Sequence, residues 1–136
     1  MKIKLDPGAI MPNRAHGTDA GLDLYAPEDA TVWPRHRTII DTGVHVEIPD
    51  GYVGLLTSKS GLMAKHGIVS AGTIDCGFTG AIKAVLFNLS SEPFYIEKGQ
   101  KITQMVLLPI ITPDLEVVDE LSATERGENG FGSTGK

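Results

Sequence analysis

The chain has one cysteine, Cys76, among its 136 residues, which excludes an internal disulfide and a zinc site built from cysteines. A reducing compartment, the cytoplasm, is the expected home. No apolar run approaches the ~18 residues that a membrane span requires. Residues 1–7, MKIKLDP, hold no apolar stretch of the signal-peptide kind. A basic surplus is also missing. Twelve Lys and Arg face 17 Asp and Glu, for a net charge of −5, and without a basic stripe a broad nucleic-acid face is excluded. The imbalance is local, because residues 112–128 hold six acids and one base, Arg126, and so account for the whole of it. The remainder is neutral and leaves room for a small, locally recognised phosphate ligand. The four histidines, His16, His36, His45 and His66, lack metal-ligand spacing.

Turn residues, in contrast, are plentiful. Sixteen Gly and eight Pro exceed the ~12% of an average chain. The 41% of hydrophobic residues suffices for one core in one domain. Residues 44–48 alternate with period two, Pro49-Asp50-Gly51 turns the chain, and 52–56 read as the second arm of a hairpin. Residues 81–88 and 94–97 read as strands. Periodicity alone leaves 102–108 open, and its β-branched residues and closing Pro109 favour a strand. A single short helix is expected over 60–67, with Ser60 as N-cap and Gly67 as stop. Strands at this spacing imply an all-β sandwich or barrel, a jelly roll, with Trp33, Tyr52, Phe87 and Phe94 in the core.

Several stretches carry chemistry. Asp19 and Asp23 flank Gly21, and the pair taken alone reads as a solvated turn rather than a metal site. Lys59 and the hydroxyls of Thr57, Ser58 and Ser60 gather at the helix start, where free N–H groups suit an anion as readily as a cap. Residues 72–80 read as strand, turn and strand, with Asp75 in the turn. Residues 126–136 contain four glycines and one apolar side chain, Phe131. They cannot bury themselves unaided, and either fraying or ordering on a phosphate ligand fits them. The chain thus divides into a body, 1–125, and an arm, 126–136.

In their order, these pieces resemble the five motifs of the trimeric dUTP nucleotidohydrolases (dUTPases). The motifs are Ala20-Gly21-Leu22-Asp23-Leu24-Tyr25, Lys59-Ser60-Gly61-Leu62, residues 72–80, Gly99-Gln100-Lys101-Ile102-Thr103-Gln104, and the arm from Arg126 to Gly135. The resemblance implies a β-jelly-roll homotrimer with active sites shared between subunits. It implies hydrolysis of dUTP to dUMP and pyrophosphate, which limits uracil incorporation into DNA and supplies dUMP for dTMP synthesis. Asp75 would activate the water that attacks the α-phosphorus, and Asp23 would hold Mg2+ through waters. Lys59, Ser60, Gly61 and Gln104 would meet the phosphates. Gly72 and Ile74, within the 71–75 backbone, would read uracil, and Phe78 would pack on deoxyribose. Arg126, Phe131, Gly132, Ser133 and Thr134 would close over the nucleotide, with Phe131 stacked on the base.

Three positions depart from the family pattern. Lys59 replaces an Arg and so loses its two-pronged contact, and Phe78 replaces a Tyr. Gly99-Gln100-Lys101 replaces Gly-Asp-Arg, so the ion pair of that stretch is expected to be absent. A dCTP deaminase of the same fold, or a trimeric regulatory module without activity, is the alternative. The full Gly-Phe-Gly-Ser-Thr-Gly arm argues against the first, and intact Asp23, Asp75 and Gln104 argue against the second.

Overall fold

The computed structural model describes residues 1–130, and these form ten strands and one short helix. In chain order they are β1 (Lys2–Leu5), β2 (Gly21–Tyr25), β3 (Ala30–Val32), β4 (Arg37–Asp41), β5 (Val44–Glu47), β6 (Tyr52–Thr57), α1 (Ser60–His66), β7 (Ile68–Ile74), β8 (Lys83–Asn88), β9 (Phe94–Ile96) and β10 (Lys101–Pro109). Six strands make one antiparallel sheet in the order β2-β10-β6-β7-β8-β4, while β1 pairs with β5 and β3 with β9. This is the all-β, jelly-roll class expected. No helix among the described residues is long and apolar enough to cross a membrane.

Alternation decides what is buried. Along β8, Ala84 and Leu86 point inward while Lys83 and Phe87 point out. The inward side chains form two clusters, one around Leu24, Val44, Val46, Leu56 and Met105, the other around Val32, Ile40, Ile68, Leu86 and Ile102. Both lie behind the sheet, so strand edges and loops are left to carry chemistry.

Three expectations are corrected. Residues 44–48 and 52–56 do not form a hairpin: β5 pairs with β1, whereas β6 is held on both edges by β10 and β7. The Pro49–Gly51 turn joins two different sheets. Trp33, Tyr52 and Phe87 are exposed rather than in the core, Trp33 by 57%, because they fall on the outward phase of their strands or in a turn; Phe94 is half-buried against the second cluster. Ser60 is the first helical residue and not the cap. Lys59 takes the cap position with extended backbone and no side-chain cap, since its side chain is engaged elsewhere. Gly67 ends the helix in the left-handed region (φ 65°), as expected of a glycine stop.

Candidate active site

The first group of functional side chains is built by β2 and β10. Gln104 lies directly opposite Asp23, and Thr103 opposite Leu24, but Lys101 pairs with Tyr25, so β10 contains one extra residue, Ile102. A bulge of this kind changes the phase of the strand. Ile102 and Thr103 are both buried in succession, and Lys101 comes round to the face that carries Gln104 and Asp23. There its ammonium meets Asp23 Oδ2 at 2.8 Å, while Lys59 Nζ donates to Asp23 Oδ1. The Gly99-Gln100-Lys101 stretch is not without an ion pair: Lys101 makes one with Asp23, which the sequence reading did not foresee. Gln100 turns away and accepts the Glu97 N–H at 3.1 Å.

Asp23 is 2% exposed and so is not part of a solvated turn. Burial pushes its carboxyl up, but hydrogen bonds from Lys101 and Lys59, with their charges, outweigh burial and hold it below the ordinary carboxylate value. The bond to Asp23 in turn raises the Lys101 ammonium, against a smaller effect of burial. Gln104 donates from Nε2 to the Ser58 carbonyl at 3.1 Å and lies across Gly21, where a Cβ would come within 2.1 Å of its Oε1. Gly21 is thus the space in which Gln104 sits. Together Gly21, Asp23, Lys59 and Gln104 line a cleft of about 310 Å³.

This donor set does not suit direct ligation of a resident metal ion by Asp23, and contact through waters is the form left to it. Both carboxylate oxygens already accept from ammonium groups, and with Asp19 also lining the cleft the two lysines balance two carboxylates. No group of three or more His, Cys, Asp or Glu that could hold a metal occurs among the described residues. Lys59, Lys101 and the Gln104 amide supply donors there.

The second group lies at the far end of β7. Asp75, Cys76, Gly77 and Phe78 form a turn closed by the Phe78 N–H on the Asp75 carbonyl at 3.2 Å. Gly77 takes φ 81° at the third position, which only glycine adopts without strain. Asp75 stands exposed at the first corner. The Phe78 ring folds back over Gly80, where a Cβ would come within 2.6 Å of it. The β7–β8 ladder ends at Ser70–Leu86, so the arms of the hairpin diverge beyond it. A cleft of about 370 Å³ opens between them, lined by Thr73, Ile74, Asp75, Phe78, Ala81 and Lys83.

The two groups are not brought together within one chain. Ala71 lies opposite Thr57 across the β6–β7 ladder, and the bonds between Ser58 Oγ and Ser70 (2.8 and 3.1 Å) carry the pairing one residue further. Lys59 and Asp75 are then six strand positions apart, roughly 20 Å at ~3.3 Å per residue. Ser60 and Gly61 are exposed at the helix start beside Lys59, and Gly72 lies on β7 between the two groups. Arg126 is in neither cleft: its Nε donates to the Asn129 carbonyl at 3.0 Å within a local turn. Phe131, Gly132, Ser133 and Thr134 lie outside the described residues. Lys101 is the functional candidate that sequence reading missed, since only the bulge brings it to Asp23.

Known proteins match the chain over nearly its whole length. The dUTPase family model covers residues 8–135. The deoxyuridine 5'-triphosphate nucleotidohydrolase of Clostridium novyi is 47% identical, with 97% of this chain and 95% of that protein aligned. Its counterpart from Corynebacterium glutamicum is 46% identical over 98% and 93%. Among solved structures, a mutant dUTPase of Staphylococcus bacteriophage 80alpha with dUpNHpp superimposes with a TM-score of 0.93, at 37% identity and with 99% and 98% of the chains covered. A mutant dUTPase from phage phi11 of S. aureus, described with a structural Mg(II) ion, gives 0.83 at 33% identity over 90% and 98%. With its two clefts and this agreement in sequence and fold, the chain belongs to the dUTPase family.

Proposed function

We propose that this chain hydrolyses dUTP to dUMP and pyrophosphate in active sites that copies of a homotrimer build together. The observation that carries the reading is the division of the family's motif residues between two clefts on one chain. A separation of roughly 20 Å is too great for Lys59 and Asp75 of the same copy to act on one α-phosphorus. A second copy that lays its Asp75 turn beside the Lys59 cleft completes the site. The bare apolar side chains Ile111, Leu115, Val117 and Leu121, each at least 89% exposed, support burial against another copy, as do exposed Trp33 and Phe87.

In this reading the exposed carboxylate of Asp75 accepts a proton from the water that attacks the α-phosphorus. An ionised carboxylate is an acceptor only and fits that task. Lys59, Lys101 and the amide of Gln104 receive phosphate oxygens and the charge that builds on departing pyrophosphate. The uncapped start of α1 adds the N–H groups of Ser60 and Gly61. The 71–75 backbone on the open side of β7 reads uracil, with Gly72 allowing close approach and Ile74 at its end, while Phe78 covers the sugar. Arg126, Phe131, Gly132, Ser133 and Thr134 close over the nucleotide. Ordering that arm costs entropy, so closure follows nucleotide binding. Mg2+ enters this reading as the counter-ion of the triphosphate, not as a ligand of Asp23. Removal of dUTP limits uracil in DNA, and the dUMP formed feeds dTMP synthesis.

The decisive experiment measures pyrophosphate from dUTP and ammonia from dCTP. It then repeats the first assay on co-refolded mixtures of Asp75→Asn and Lys59→Ala chains, each inactive alone. Pyrophosphate release and recovery on mixing support the proposal. Ammonia without pyrophosphate overturns the reaction, and a mixture as inactive as its parts overturns the shared site.

A further inference from the structure

The loop that follows Asp75 is tied down by a histidine outside every family motif. His45 projects from β5, and its two ring nitrogens face two acceptors: Nδ1 lies 2.8 Å from the Thr79 carbonyl and Nε2 2.9 Å from Asp6 Oδ2. Beyond the Asp75 turn, the next backbone anchor is Ile82, whose N–H donates to Val44 O at 2.8 Å. Among the described residues, His45 is the one hydrogen-bonded tether of residues 79–81. Those residues follow Phe78 directly and include Gly80, on which its ring rests.

We propose that His45 is a positioning residue for the Asp75–Gly80 loop, acting as a two-ended strut from Asp6 to the Thr79 carbonyl. The assignment to catalysis rests on the hydrolysis reading above; the strut itself does not. A neutral imidazole has one N–H and can satisfy one of the two acceptors, whereas the imidazolium satisfies both. The charged groups around the ring favour the charged form on balance. Asp6 lies at the end of β1 beside Lys4, which pairs with it at 3.4 Å and stands opposite His45 in register. Two pairs further along, on the same face, Glu47 is neutralised by Lys2. The loop contributes a carbonyl. The bond to Asp6, then that to Thr79, raises His45 above the ordinary 6.5, with Lys4 opposing. A raised value means that the strut is intact below 6.5 and is lost as pH rises through the folded-state value.

The test follows KM and kcat for dUTP against pH in the full-length protein and in His45→Ala, His45→Gln and Asp6→Asn, with imidazole nitrogen shifts recorded by NMR. For the parent, KM is expected to rise several-fold as His45 loses its proton, with kcat changing less. His45→Ala should hold the high KM at every pH. His45→Gln, which donates without titrating, should give a flat profile between the two. Asp6→Asn should move both the KM rise and the NMR titration to lower pH. A parent KM profile shared by His45→Ala overturns the proposal, as does a neutral His45 ring below pH 6.5. If the chain releases no pyrophosphate from dUTP, the hydrolysis reading fails while the NMR titration still decides the strut.

Discussion

The two clefts of this chain are organised in opposite ways. Around Asp23, charge is buried and over-determined: one carboxylate, two ammonium groups and an amide lie on paired strands. Around Asp75, the carboxylate stands exposed on a turn, with its loop held by a glycine, a ring stacked on a glycine and one histidine contact. Fixed charges suit a ligand whose phosphates are always the same, because preorganised donors need not rearrange as charge develops. A proton acceptor must reach water and is better placed at a surface. In the proposed reading, the difference is that one chain keeps its electrostatic machinery rigid and offers its base to a neighbour.

The comparison can be broken from either side. The largest effect is expected from Asp75→Asn, which removes the proton acceptor but no packing. Turnover should fall by about 10²- to 10⁴-fold, while calorimetry still registers dUpNHpp binding and sedimentation an unchanged assembly. Near-normal turnover would remove Asp75 from the chemistry. Gly21→Ala should come next, because the new methyl displaces Gln104 from its place across the strand. We expect KM for dUTP to rise by about tenfold, the weight of one ordinary hydrogen bond, with little loss of stability. Asp23→Leu leaves two lysines without their counter-ion. Urea unfolding should register about 1–2 kcal/mol, less than the ~3–5 of a fully buried pair, because Lys59 and Lys101 are 25% and 39% exposed and can turn to water.

The smallest effect lies in the acid limb. Since the Asp23 carboxyl is held below its ordinary 3.8, its contribution is full above that value and lost as pH falls through the depressed one. Asp23→Asn should therefore flatten this part of the stability profile below pH 4. Calorimetry with Mg2+ and no nucleotide sharpens the same contrast. The two ammonium groups on the Asp23 oxygens predict no heat of binding, and a saturating site abolished by Asp23→Asn would restore Asp23 as a metal holder.

Much of this arrangement was legible in the residues. Alternation in 81–88 and 102–108 marked β8 and β10, Gly67 marked the helix end, and the resemblance drew Asp23, Lys59, Asp75 and Gln104 from a background of ordinary turns. What stayed hidden depends on pairing. Residues 44–48 and 52–56 flank a good turn, but which edge a strand joins is decided by partners distant in sequence. Phe87 and Tyr52 look like core residues by type and are outward by phase. The contact of Lys101 with Asp23 stayed hidden because simple alternation gives no sign of an extra residue. His45 occupies an outward position on β5, and only the fold brings Asp6 and Thr79 to its two nitrogens.

The inserted Ile102 has a consequence for inheritance. Substitutions in β10 leave the count of residues intact, whereas loss of the one codon between Lys101 and Thr103 straightens the strand, leaves Lys101 opposite Tyr25 and takes a whole buried side chain out of the second core cluster. At this place a three-base deletion is the harsher lesion, and variants of the gene should differ here in letters far more readily than in length.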